Sequence, residues 1–365
     1  MDLIASVNIW AIVGFAFAAY AVVGNDALQT LGTFINSNRR LPWWVLYLFA
    51  VTILLVSFYY GWYNNGGDVS YGKLDNISKF PIFEVKWYHT LPPLVLLVLT
   101  RIGVPVSTTF MVLATFATLS GMQSMLTKSL MGYGVAFVSG LLIYAAIAPT
   151  IERWFLRTTE SQHAIGWVVL QWVTTGYLWS VWLVNDFANI FVYLPRNLPI
   201  LNDAGEMIGR QDNLGLFGAT LGVALISLFL LITFMNRGGP VQKILLTKTS
   251  VTDIRSATII DFVYATLLFI FSGELDFLGI SKVPMSTTWV FLGLIAGREF
   301  AIATIDKVRS TGATARIVGM DLAKATLGIV ISVALALSMP WLAKTFDPPP
   351  ADDPAALTQP LQIDD

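Results

Sequence analysis

Two short polar strings, each present twice in a mostly apolar chain, hold the residues able to do chemistry. The first is an Asn-Asp pair. It stands in Gly24-Asn25-Asp26-Ala27-Leu28-Gln29-Thr30-Leu31-Gly32 and returns in Val184-Asn185-Asp186-Phe187-Ala188-Asn189-Ile190. Each copy closes a long uncharged run, and apolar residues continue past it. A carboxylate at membrane depth costs about 2.5–3.5 kcal/mol on insertion scales. Such a group must face a cavity, bind a cation or hold a proton. The competing reading is an N-cap just outside the membrane, where Asn and Asp are favoured. Two copies, each alone in an uncharged run, weigh against a cap. Asp26, Asp186 and Asn189 therefore offer hard oxygens for a cation such as Na⁺.

The second string is Val-Pro-x-Ser-Thr-Thr, found as Val104-Pro105-Val106-Ser107-Thr108-Thr109 and Val283-Pro284-Met285-Ser286-Thr287-Thr288. Proline breaks the helix before it and fits the first turn of the helix after it. Ser107, Thr108 and Thr109, and likewise Ser286, Thr287 and Thr288, then fall near a helix N-terminus. Free backbone N–H groups and the helix dipole favour an anion there. The plainer reading is capping and Ser/Thr back-bonding in a membrane helix. Repetition of the whole string makes that insufficient. The pairing expected is oxyanion at the Ser-Thr-Thr tips and cation at the Asn-Asp pairs. A carboxylate repels an anion unless a proton or coupling cation neutralises it, which gives a reason for coupling. Na⁺ and H⁺ serve this argument equally. Arg101 and Lys282 stand beside the tips, either to steer the anion or to end an arm and snorkel.

The elements that carry these strings are membrane helices. The chain has 365 residues, 55% hydrophobic and 12% charged; soluble domains carry roughly 25% charged. Uncharged runs at 3–25, 41–67, 102–127, 129–151, 161–185, 213–236 and 325–343 are long enough to span, a span needing roughly 20 residues. The N-terminus has Asp2 and no basic residue before Arg39, so it reads as a retained helix rather than a leader. Basic clusters at Arg39–Arg40, Arg153–Arg157, Arg237–Arg255 and Arg298–Arg316 mark the inner side. The loops 68–86, 121–128 and 196–212 are left outside. Threading these sides requires 87–120 and 256–304 each to return to the side from which it enters. The expected fold is an all-α polytopic membrane protein, an inverted-topology repeat with two re-entrant helical hairpins and broken helices. The first repeat covers 1–155, the second 160–345, and 346–365 is a disordered acidic tail. Trp43, Trp44, Tyr59, Tyr60 and Trp62 fit an aromatic belt. Asp261, Glu299, Asp321 and Lys324 are accounted for by interface placement or internal ion pairing.

Several classes are excluded. With no cysteine, thiolate metal sites and cysteine nucleophiles are absent. His89 and His163 lie far apart and make no metal pair. No HExxH or GxSxG string occurs, so an enzyme is not expected, nor any cofactor beyond a coupling ion. A net charge of -1 leaves no nucleic-acid footprint.

The two strings resemble the signature of the inorganic phosphate transporter (PiT) family, Gly-Ala-Asn-Asp-Val-Ala-Asn-Ala-x-Gly with Pro-Val-Ser-Thr-Thr-His in both halves. Asn25-Asp26 with Gly32, and Asn185-Asp186 with Ala188-Asn189, match the first element; Pro105–Thr109 and Pro284–Thr288 match the second. The resemblance implies a homodimeric symporter moving phosphate with Na⁺ or H⁺. It implies a substrate site lined by Asn25, Asp26, Asn185, Asp186 and both Ser-Thr-Thr triplets, in a bacterial inner or plasma membrane. Gln29 stands in place of the second Asn of the first signature, Val192 in place of a Gly, and Phe110 and Trp289 in place of each His. These departures ring the site and leave sulfate or another small oxyanion as the alternative substrate. A passive anion channel on the same fold is the other alternative.

Overall fold

The computed structural model describes residues 8–101, 106–147, 154–155, 158, 164–202, 207–236, 254–273, 275, 282, 284–305 and 310–347. The tail after Asp347, His163, Pro105, and most of the inner basic residues lie outside these.

The described helices are α1 (Ile9–Asn25), α2 (Ala27–Ser37), α3 (Trp43–Asn64), α4 (Leu91–Arg101), α5 (Leu119–Ile147), α6 (Ile165–Phe191), α7 (Gly215–Met235), α8 (Ile254–Phe271), α9 (Thr287–Ile305) and α10 (Thr311–Phe346). Six of them, α3, α5, α7, α8, α9 and α10, are long and apolar enough to cross a membrane. The pair α1 and α2 makes a seventh crossing if counted as one span, bent by 49°. The bend falls at Asp26, which begins α2 without a side-chain cap bond. Helix α6 is 27 residues long. It carries Gln171, Asn185, Asp186 and Asn189, all buried, so its polar face meets protein rather than lipid.

Several expected boundaries move. The run 102–127 is not one span. It holds a π turn (Thr109–Leu113), a 3-10 turn (Ala114–Phe116) and the start of α5. The residues 121–128, read as a loop, are helical, because α5 continues through a buried Lys128. The last span begins at Thr311, not at 325, and takes Arg316, Asp321 and Lys324 into α10. A small antiparallel hairpin of β1 (Pro199–Leu201) and β2 (Met207–Arg210) interrupts the all-α expectation in the 196–212 loop.

The two proposed hairpins differ in build. The arm α4 has 11 residues, about 16 Å, too short to cross. The ends of the first segment adjoin each other: Thr118 N donates to Lys79 O at 2.8 Å, and Phe83 stacks on Phe116 at 5.3 Å. The arms α8 and α9 have 18 and 19 residues, each long enough to cross, unlike the short arms expected for 256–304. Tyr264 of α8 faces Phe291 of α9 with ring centroids 5.5 Å apart.

The two halves of the sequence are interleaved. Helix α5 packs along α9, and α10 packs over the π turn, where Ser332 Oγ lies 3.7 Å from Met111 Sδ. The α5–α9 crossing depends on glycines: a Cβ at Gly293 or Gly297 would overlap the carbonyl oxygens of Tyr133 and Phe137. Small residues that admit close backbone approach drive helix pairing in lipid.

The loop 66–86 is fastened to the bundle. Asp75 takes both Nη groups of Arg210, at 2.9 and 2.7 Å. Arg196 donates to Leu74, Phe80 and Pro81 carbonyls, and burial pulls its guanidinium down to about 10. Asp68 accepts from Ser70 N and Gly72 N, while burial pushes its carboxyl up.

Candidate ion and oxyanion site

The four duplicated segments meet in one buried cluster. Asn25, Asp26, Ser107, Thr108, Thr109, Asn185, Asp186, Asn189, Ser286, Thr287 and Thr288 are each at most 5% exposed. The break between α1 and α2 supplies the first Asn-Asp pair. Unbroken α6 supplies the second, so this copy sits inside a helix and not at a cap.

Each Ser-Thr-Thr triplet opens the same way. Ser107 Oγ accepts from Phe110 N and Ser286 Oγ from Trp289 N, both at 3.2 Å. These serines cap the turns behind them, as Ser does at an N-cap. The threonines do something else. Thr108 Oγ1 donates to Asp26 Oδ2 at 2.5 Å, and Thr288 Oγ1 reaches Asp26 Oδ1 at 3.5 Å. Thr287 Oγ1 donates to Asp186 Oδ2 at 3.1 Å. Asn189 Nδ2 donates to Asp186 Oδ1 and lies 3.3 and 3.2 Å from Thr108 Oγ1 and Thr109 Oγ1. Thr109 Oγ1 donates to Met285 O at 3.0 Å, so the two tips touch.

The sequence assigned the carboxylates and the tip hydroxyls to separate ligands, and the structure instead bonds them to one another. Hydroxyls and carboxylates interdigitate, because a buried carboxylate requires donors and the threonines lie within reach. Asp26, from the first half, takes a hydroxyl from each tip.

Amide groups complete the cluster. Asn25 Nδ2 donates to Asp26 Oδ1 at 2.6 Å and to Val106 O at 3.0 Å, and Asn185 Nδ2 donates to Val181 O at 2.9 Å. The side-chain oxygens of Gln29, Asn185 and Asn189 are buried without a hydrogen-bond partner. Three such oxygens beside two carboxylates form a donor set suited to a hard cation. Among the described residues, no group of three or more His, Asp or Glu side chains comes together.

Other residues of the cluster were given no contact in it by the sequence reading. Gln29 departs from the family signature, yet its Nε2 reaches Asp26 Oδ1 at 3.3 Å and Thr288 Oγ1 at 3.4 Å. Its position three residues after Asp26 puts both on one helix face, which could have flagged it. Ser129 Oγ accepts from Ser286 N at 2.9 Å, and Tyr264 OH donates to Thr287 O at 3.1 Å. Beside Ser129, Lys128 is 4% exposed, and Lys73 of the 66–86 loop is 2% exposed. Lys282 is exposed and stands next to Gly72 and Gly273. The Arg101 side chain lies outside the described residues. Phe110 and Trp289, which stand where the signature this chain resembles has histidine, are buried apolar neighbours of the tips.

No protein-family model and no curated protein sequence matches the chain. A solved structure described as "The sodium-dependent phosphate transporter" does, with a TM-score of 0.57 over 95% of this chain and 100% of its own, at 17% identity. The two share a fold. With six helices able to cross, the chain is an integral, multi-pass, α-helical membrane protein.

Proposed function

We propose that the chain is a cation-coupled symporter of an inorganic oxyanion, with phosphate as substrate and Na⁺ as coupling ion. One observation carries this: Asp26 and Asp186, 0% and 1% exposed, converge with the hydroxyls of both duplicated Ser-Thr-Thr tips. The solved neighbour's description as sodium-dependent and phosphate-transporting agrees with that chemistry.

In this reading Asp26, Asp186 and Asn189, with the unpartnered oxygens of Gln29 and Asn185, take the cation. Its charge releases the threonine hydroxyls from the carboxylates. Freed, they donate to the oxyanion, whose repulsion by the carboxylates is now cancelled. Without the cation the same hydroxyls stay on the carboxylates and the anion finds no donors. That exchange couples the two ligands. Residues 1–155 and 160–345 act as the inverted repeats that rock around the site, and the functional unit is a homodimer.

The test is uptake by proteoliposomes. Labelled phosphate and sulfate are presented under imposed Na⁺ or H⁺ gradients. Phosphate should accumulate above equilibrium with Na⁺ alone, and Asp26→Asn or Asp186→Asn should abolish accumulation. Uptake that never exceeds equilibrium marks a channel. Preference for sulfate reassigns the substrate to the altered Gln29, Phe110 and Trp289 surroundings. Full coupled transport in both single variants removes the carboxylates from the mechanism.

A further inference from the structure

Helix α6 has two faces. One turns Gln171, Asn185, Asp186 and Asn189 into the bundle, all buried. The other carries Ile165, Val169 and Val173, spaced four apart and therefore in one row. They are 83, 57 and 61% exposed. With Phe49 of α3, Trp172 and Gly176, this row lines a groove of about 530 Å³. Gly176 deepens it, since even a Cβ there would touch Ile53 and Phe49 at 3.4 and 3.5 Å.

Size and length point to the occupant. The volume falls in the range of roughly 300–1,000 Å³ that holds small ligands. From Ile165 to Gly176 the groove follows eleven residues of α6, about 16 Å. That is half of the roughly 30 Å hydrocarbon core, the depth of one leaflet. In a membrane-spanning chain, an open apolar groove of this depth faces lipid tails.

The groove is also tied to a charged turn. Trp172 Nε1 donates to Asn38 Oδ1 at 3.3 Å, and Asn38 Nδ2 donates to Gln171 Oε1 at 3.1 Å. Asn38 ends α2 and opens a turn in which Leu41 N donates back to Asn38 O at 2.9 Å. Arg39 and Arg40 stand in that turn, both exposed. Basic residues so placed at a membrane surface attract anionic headgroups.

A second copy of the chain fits this groove less well. A two-fold axis through it would set one hollow against another and leave the space unfilled. It would also bring the arginine pairs of both copies to the same side of the membrane, like charge facing like.

We propose that the groove binds an anionic phospholipid, with one acyl chain along α6 and the headgroup phosphate at Arg39 and Arg40. The chain presses on Trp172, which is bonded to the end of α2. The lipid thereby braces α2 and α6, the helices that hold Asp26 and Asp186. This site does not depend on which ions the protein moves.

The experiment uses the full chain, purified in detergent, as wild type, Val173→Trp and the double variant Arg39→Gln/Arg40→Gln. Phosphatidylglycerol or phosphatidylcholine is titrated in. Native mass spectrometry counts the lipid retained per chain, and light scattering reads the oligomeric state. Wild type should retain phosphatidylglycerol in preference to phosphatidylcholine. Val173→Trp fills the groove from an exposed position and should retain one phosphatidylglycerol fewer per chain. The double variant should lose the preference, its phosphatidylglycerol affinity falling about fivefold for each arginine removed. Equal retention of the two lipids by wild type overturns the proposal, as does an unchanged lipid count in Val173→Trp. A dimer that Val173→Trp splits while its lipid count stays the same gives the groove to a second copy instead. If Val173→Trp does not fold, the double variant decides, because both arginines are exposed; unchanged affinity there overturns the site.

Discussion

Asp26 accepts hydroxyls from both tips, Thr108 and Thr288, and Asp186 accepts one from Thr287. Two carboxylates and the six residues of the tips were legible in the sequence because they occur twice. Lys73 and Lys128 were not. Each occurs once, and nothing local distinguishes a lysine that folds inward from one that snorkels. Lys128 adjoins Ser129, whose Oγ accepts from Ser286 N, and Lys73 is buried in the 66–86 loop. Lys73→Gln and Lys128→Gln should each raise the KM for phosphate about tenfold, near 1.4 kcal/mol of binding, with the sodium dependence intact. Initial-rate uptake over a range of phosphate concentrations checks this; an unchanged KM in both variants removes them from the anion site.

At the scale of elements, α5 and α9 hold the second tip in place. Gly293 and Gly297 let α9 approach the carbonyls of Tyr133 and Phe137, while Gly140 admits Leu294 O. The sequence showed these glycines without a partner, since a close crossing is a property of two helices. Gly297→Leu inserts a side chain where even a Cβ overlaps backbone. It should destabilise the protein by about 1–3 kcal/mol through overpacking. A thermal melt of the detergent-purified protein reads the loss. A midpoint equal to wild type would mean that the crossing is looser than the structure has it. The first tip rests on a π turn instead of a full helix, and α10 braces it through Ser332 and Met111.

For the whole molecule, the two segments 87–120 and 256–304 decide how the chain meets the bilayer. Thr118 bonded to Lys79, and Phe83 stacked on Phe116, bring both ends of 87–120 together. Ile82→Cys and Ser120→Cys, both at exposed positions, should therefore react with a membrane-impermeant thiol reagent from the same side. Reaction from opposite sides would refute the first hairpin. The chain has no native cysteine, so each single variant gives an unambiguous signal. The longer arms α8 and α9 are each long enough to cross.

The sequence by itself determined the solvent and the reacting groups. A charged fraction of 12% left lipid as the medium, and duplication picked out Asn25-Asp26, Asn185-Asp186 and the two Ser-Thr-Thr triplets. Periodicity and charge report what one segment prefers. They say nothing of which distant oxygen a hydroxyl will meet. Tertiary structure alone decided that the threonines serve the carboxylates, that Gln29 joins them, and that Asp261 of α8 meets α2 and α6. Those pairings join residues far apart in the chain, so they depend on how whole helices cross and in what register. Asp261 read from sequence as an interface or ion-paired charge, and the structure instead buries it against the hydroxyls of Thr33 and Thr175.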